Sequence, residues 1–341
     1  MKLLFLHPNN ADYLSATLFH GLRTLLGNNC VDFPRYDIMY KNFPQSLKTT
    51  IRGNAFTLYG LLEEETNEVK VDRNKCLDNL NKFDKIIVSN IWWIEYSLIR
   101  FLINNVSKNK IIIIDGADQS AVFPFGSFYN RLKNDFFSYF FSSNDFKYFK
   151  RELDENSYYN LLGHILKSTT SLSFKIKRNL LPIHFAIPKE KINYVTVENK
   201  KKMFNTQIVD EEIAIKIQDS KFSSLGSDLI IFREESDYYK DLQESKFGIT
   251  TKRAGWDCLR HYELAANGAV LCFKNLYDKF DISAPIGLNS KNCIIYNNYD
   301  DLVAQINNIS NDTYETLLNA TYKWIENNTT EKLAEYVIQN C

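Results

Sequence analysis

The sequence predicts an α/β protein built from two doubly wound parallel sheets. Three observations carry that prediction. The chain has 341 residues, more than one hydrophobic core usually organises. Short apolar runs with strand character alternate with longer amphipathic segments, the pattern of a parallel sheet with helical crossovers. The alternation also occurs twice, on either side of Leu180–Pro188, LLPIHFAIP, whose two prolines mark a chain crossing between domains. The expected division is a first domain over 1–188 and a second over 189–327, with a terminal segment 328–341 that packs back on the first.

Each element has its own reason. Lys2–Leu6 reads as a buried strand. Asp12–Leu26 reads as a helix, with Leu14, Leu18, Leu22 and Leu25 or Leu26 at helical spacing and Gly27 as its stop. Lys85–Ser89 and Lys110–Asp115 read as further strands, the second, KIIIID, apolar enough to be buried on both faces. Trp93–Val106 makes the crossover helix between them. From Ala121 to Tyr159 the pattern blurs into helices and loops around a strand near Phe146–Lys150. In the second half Asp228–Phe232, Phe247–Thr251, Ala269–Phe273 and Cys293–Tyr296 read as strands. Ser236–Ser245, Leu259–Asn267 and Asp300–Ile306 read as helices, and helical segments run from Thr313 to the end.

Composition narrows the classes of function. Hydrophobic residues make up 45% and charged residues 24%, a globular balance that excludes large-scale disorder. Lys plus Arg equals Asp plus Glu at 41 each, so a purely electrostatic role on DNA or anionic membrane is disfavoured. A local basic patch is compatible with this, and the aromatic and basic stretch Phe136–Arg178 is the candidate. The six cysteines form no C-x-x-C pair and no zinc-spaced cluster with histidine, which suits reduced thiols in a cytoplasmic protein. Leu3–Leu6 is too short for a signal-peptide core, and no run approaches the roughly 20 apolar residues of a membrane helix. Contact with a membrane is therefore expected to be peripheral at most.

In open α/β sheets ligands bind beyond the carboxyl ends of the strands. The segment Phe247–Phe273, FGITTKRAGWDCLRHYELAANGAVLCF, reads as strand, loop, helix, glycine, strand. Its loop holds Thr250, Thr251, Lys252, Arg253, Gly255 and Trp256 and leads into a helix N-terminus, where free N–H groups and the dipole favour a phosphate. Two hydroxyls, two cations and a glycine supply what a diphosphate needs. On the helix, Arg260 and Glu263 share a face with Asp257 one turn earlier. Glu263 can accept the hydroxyls of a ribose, and Arg260 can stabilise charge on a leaving diphosphate. The same three residues also suit a solvated row of ion pairs.

Arg260, Tyr262, Glu263, Ala266 and Gly268 spell R-x-[YF]-E-x-x-A-x-G. This pattern resembles the donor-site signature of GT-B glycosyltransferases, nearest to the spore-maturation-type group. The resemblance covers the run Phe247–Phe273, about 27 residues. The resemblance implies two Rossmann-like domains facing across a cleft, with a nucleoside-diphosphate sugar as co-substrate on the second domain. It places Glu263 on the ribose and Arg260 with Arg253 or Lys252 on the diphosphate, and implies no cofactor and no catalytic metal. Asp115-Gly116-Ala117-Asp118 is not a metal-binding D-x-D motif, because its acids are three apart.

The first domain is then expected to hold the acceptor: a glycan, a lipid-linked saccharide or a modified nucleic-acid base. An inverting reaction needs a general base, for which Asp12 and Asp118 are candidates; Asp12 equally suits a helix N-cap and Asp118 an ordinary loop cap. His7, Trp93 and Arg151 are candidate acceptor contacts, with packing or pairing as their alternative roles. A nucleotide-sugar epimerase of the same fold and a non-catalytic nucleotide-sugar-binding protein are the rival readings.

Overall fold

The computed structural model describes residues 1–8, 10–64, 72–124, 141–158, 178–217, 221–222 and 231–341. The first sheet contains β1 (Leu3–Leu6), β2 (Cys30–Phe33), β3 (Lys85–Val88), β4 (Ile111–Asp115), β5 (Lys147–Lys150) and β6 (Leu180–Pro182), in the order β2-β1-β3-β4-β5-β6. All its pairings are parallel. Alternate side chains leave opposite faces of a strand, and both faces are buried here. Leu3, Phe5, Ile87, Ile112 and Ile114 enter one core cluster, while Leu4, Leu6, Ile86, Val88, Ile111 and Ile113 enter another. This two-sided burial is why KIIIID carries no polar alternation.

Between these strands run α1 (Tyr13–Leu26), the single turn α2 (Gln45–Lys48) and α3 (Tyr96–Asn105). The Asp12 carboxylate accepts the Ser15 N–H at 3.0 Å and so caps α1, whose other end stops at Gly27 with φ 55°. The strand β2, CVDF, was not expected. Its Asp32 is fully buried, accepts the Tyr36 N–H at 2.7 Å and pairs with Arg73 at 2.5 Å, so a charged residue interrupts an otherwise apolar run.

The second sheet has the order β12-β11-β10-β7, again parallel, from β7 (Lys202–Phe204), β10 (Ser245–Thr251), β11 (Val270–Lys274) and β12 (Ile294–Tyr296). A separate parallel pair joins β8 (Gln207–Ile208) to β9 (Lys221–Phe222). The helices are α4 (Glu211–Lys216), α5 (Glu235–Glu244), α6 (Leu259–Ala266), α7 (Tyr299–Asn307), α8 (Asn311–Glu326) and α9 (Thr330–Gln339). The strand expected at Asp228–Phe232 lies outside the described residues as far as 230, and Ile231 and Phe232 are not in a strand. The stretch Phe136–Arg178 also lies outside them at 136–140 and 159–177.

After β6 the chain passes to the second sheet through Ile183–Pro188, and it returns at Asn328–Thr330. The two crossings touch: Ile187 N–H donates to Asn328 O at 3.1 Å and Thr330 N–H to Ile187 O at 2.9 Å. α9 then lies against α1. A Cβ at Gly21 would sit 1.9 Å from the Thr330 carbonyl oxygen, so the close approach of these segments requires glycine there. Among the described residues no helix is long and apolar enough to cross a membrane.

Candidate active site

The carboxyl ends of both sheets meet across a cleft of about 580 Å³. Asp118, Glu152 and Asp154 line it from the first domain, and Thr251, Lys252 and Trp256 from the second. The Lys252 ammonium stands 4.9 Å over the Trp256 ring. Phe280 and Lys274 complete the wall, though Lys274 is already paired with Asp210 and Glu212, each at 2.9 Å.

Arg253, Arg260 and Glu263 do not line this cleft. They gather with Tyr13 and Arg52 of the first domain. Burial raises the Tyr13 phenol, Glu263 adds to the effect, and Arg52 and Arg260 oppose it. Burial likewise lowers the Arg253 guanidinium, and the charges of Arg260 and Arg52 push the same way. The sequence treats the 250–263 segment as one site; the structure divides it into a cationic cluster and an open cleft. Within the cluster Arg260 donates to Gln207 O at 3.4 Å, and its Nε–H is buried and makes no hydrogen bond among the described residues. A buried guanidinium N–H without an acceptor is costly, about 1–3 kcal/mol.

Glu263 is 9% exposed and takes a hydroxyl on each oxygen: Thr57 Oγ1 at 2.6 Å and the Tyr238 phenol at 2.8 Å. Burial raises its carboxyl, and those two hydroxyls pull it back. Thr57 belongs to the first domain and has φ 74°. A β-branched residue in the left-handed region is strained by about 1–2 kcal/mol, which places a strained residue at the domain boundary.

The loop before α6 is held from three sides. His261 accepts the Thr250 hydroxyl at Nδ1, 2.8 Å, and faces the Trp256 carbonyl from Nε2 at 3.0 Å. A carbonyl only accepts, so the proton is on Nε2, and burial drops the ring pKa to about 4, keeping it neutral. Glu152, from the end of β5, accepts the Trp256 N–H at 3.0 Å and the Asp257 N–H at 3.1 Å. A Cβ on Gly255 would lie 2.3 Å from Glu152 Oε1, so this glycine makes room for the carboxylate.

Several expected roles change. Asp257 lies before α6 and not on its face; it is buried and accepts the Phe185 N–H at 2.7 Å and the Tyr262 hydroxyl at 2.8 Å. Tyr262 is fully buried between His184 and Trp324, and the buried Thr250 is bound to His261. Arg151, expected on the acceptor, is 2% exposed: it donates to Asp257 O at 2.9 Å and Gly116 O at 3.1 Å and pairs with Asp118 and Glu152. It joins the domains. His7 is buried, stacked on Tyr36 at 3.9 Å, with both ring nitrogens on carbonyl oxygens. Trp93 is 62% exposed and is not part of the cleft wall; its neighbour Trp92 instead donates to Asp115 at 2.8 Å. Gly268 has φ 73° and admits the Tyr322 hydroxyl, a structural role. Glu152, Thr57, Arg52 and Tyr13 were missed, because they join the site from about 100 to 250 residues away and no local pattern marks them.

Burial raises the Asp257 carboxyl from 3.8 to about 6, with Arg151 opposing. A raised folded pKa means the associated stability is present in acid and is lost as pH climbs from about 4 through about 6. At about 1.4 kcal/mol per unit, the expected loss is roughly 2–3 kcal/mol. Asp257→Asn removes the titrating group, so urea unfolding of both proteins between pH 4 and 7 should show the wild type losing ground to the variant. A constant difference across that range contradicts the assignment.

No family model matches the sequence, and no curated protein matches it. Solved structures do match. Trehalose-6-phosphate synthase, OtsA, superposes with TM-score 0.54 at 13% identity, covering 100% of this chain and 98% of its own. HepE from Anabaena, in complex with UDP-glucose, gives 0.54 at 10% identity, with 99% and 98% covered. A glycosyltransferase from Rickettsia africae ESF-5 gives 0.51 at 11%, with 99% and 97% covered. Two facing parallel-sheet α/β domains, matched over their whole length, give this chain the GT-B fold.

Proposed function

We propose that the chain is a glycosyltransferase that takes a sugar from a nucleoside-diphosphate donor and passes it to an acceptor hydroxyl in the cleft. The observation that carries this reading is the cluster of Arg253, Arg260 and Arg52 beside the buried Glu263, with the Arg260 Nε–H lacking an acceptor among the described residues. Cations with an unsatisfied donor next to a hydroxyl-binding carboxylate match a diphosphate next to a ribose. The HepE structure, which holds UDP-glucose, has the same fold and supports the reading.

In this proposal Glu263 accepts ribose hydroxyls and Arg260 and Arg253 face the diphosphate. Thr251, Lys252 and Trp256 line the cleft where the transferred sugar meets the acceptor. Asp118 is the stronger candidate base, since it lines the cleft and is exposed although one oxygen pairs with Arg151, whereas Asp12 caps α1 and does not line the cleft. No bound metal is needed in the proposed chemistry, because the arginines carry the leaving-group charge.

A thermal-shift screen against nucleotide sugars tests the proposal, since a ligand that binds the folded state alone raises its stability. At least one nucleotide sugar should raise the midpoint; a flat response across the panel would remove the donor site. For the best ligand, Glu263→Ala should weaken binding about 10–100-fold, as expected when a charged hydrogen-bond acceptor is lost. Calorimetry showing unchanged affinity would dissociate Glu263 from the ribose.

A further inference from the structure

The contacts that a nucleotide would make are already made by the first domain. A ribose binds a carboxylate by donating O–H groups, and Glu263 receives such a group from Thr57 Oγ1 at 2.6 Å. A phosphate oxygen binds a loop by accepting N–H groups, and Glu152 receives two, from Trp256 at 3.0 Å and Asp257 at 3.1 Å. Both Glu263 oxygens are occupied, the second by Tyr238 at 2.8 Å.

We propose that in this structure the first domain occupies the donor site of the second, with the Thr57 hydroxyl in place of a ribose hydroxyl and the Glu152 carboxylate in place of an anionic donor oxygen. A donor then binds only after the two domains part at these contacts. This inference rests on the donor-site reading above and adds its regulation.

Two further observations support it. The loop that delivers Thr57 is wound in the left-handed region at Gly53, Asn54, Ala55 and Thr57, with φ of 70°, 53°, 56° and 74°. Three of these are not glycine, so the loop holds this form against its own preference. What holds it is the second domain: Asn54 Nδ2 donates to Phe232 O at 3.1 Å and the Thr57 N–H to Glu235 at 2.5 Å. Separating the domains relieves the loop. At the other contact, Gly255 leaves the space that the Glu152 carboxylate fills, since any side chain there would collide with it. A competitor tethered in the same chain lowers apparent affinity by the fraction of molecules it keeps closed.

The experiment is calorimetry on the full chain with two probes, UDP and inorganic pyrophosphate, which has no ribose. Glu152→Gln should tighten both probes about tenfold, because a charged competitor is gone. Thr57→Val, which keeps the shape and deletes the hydroxyl, should tighten both probes severalfold, because losing this closed-form contact raises the open fraction that either probe needs. Thr57→Ser retains the hydroxyl and should bind UDP no more tightly than the wild type, which keeps the test open if the valine variant does not fold. Unchanged or weaker UDP binding in Glu152→Gln and Thr57→Val, with the wild type binding normally, overturns the inference alone. Failure of every folded protein to bind either probe overturns the donor site itself.

Discussion

Replacing Arg151 with alanine is expected to cost the folded chain about 3–5 kcal/mol, the usual loss when one member of a buried ion network is removed. Arg151 donates to the Asp257 carbonyl across the domain boundary and pairs with Glu152 and Asp118. Burial raises the carboxyls of both Glu152 and Asp257, and Arg151 is the leading influence opposing that rise in each. Without the guanidinium two buried acids lose their cation, while the Gly116 and Asp257 carbonyls lose a donor. Urea denaturation of the wild type and Arg151→Ala at neutral pH measures the effect. A loss below about 1 kcal/mol would show that the network contributes no more than a surface ion pair. The variant should recover part of its stability in acid, where the orphaned carboxyls are neutral.

The largest catalytic effect is expected at Arg260. If its guanidinium meets charge that develops on the departing diphosphate, Arg260→Ala should lower kcat about 10²–10³-fold, the magnitude found when one oxyanion donor is removed. Donor affinity should fall much less, because the contact strengthens as the bond breaks. Single-turnover kinetics with the donor identified by the thermal screen, together with donor calorimetry, separate the two quantities. Equal losses in kcat and affinity would assign Arg260 to ground-state binding.

The elements with the strongest sequence pattern were legible. LLFL and the four isoleucines of KIIIID lie between two cores, so each of these residues faces apolar surroundings and the run admits no alternation. CVDF escaped notice because Asp32 carries a charge into the interior with its own partners, Tyr36, Tyr40 and Arg73. KMF and the β8–β9 pair are two or three residues long and partly polar, too short for a period to register.

The candidate site divides in the same way. The spacing of Arg260 and Glu263 placed both on one face of a helix, and the structure gathers them with Arg253. Spacing could not show that Asp257 precedes the helix and turns inward to Phe185, nor that Tyr262 packs between His184 and Trp324. The partners from the first domain have no local signature at all. Thr57 and Glu152 become meaningful only when the fold places them against Glu263 and Gly255.

The isolated bridge between Ile187 and Thr329 has a mechanical consequence. The polypeptide leaves the first lobe and re-enters it through neighbouring, hydrogen-bonded segments, so the two crossings cannot separate without breaking these bonds. Because α9 packs against α1 beyond this bridge, the tail of the chain clasps the two crossings together.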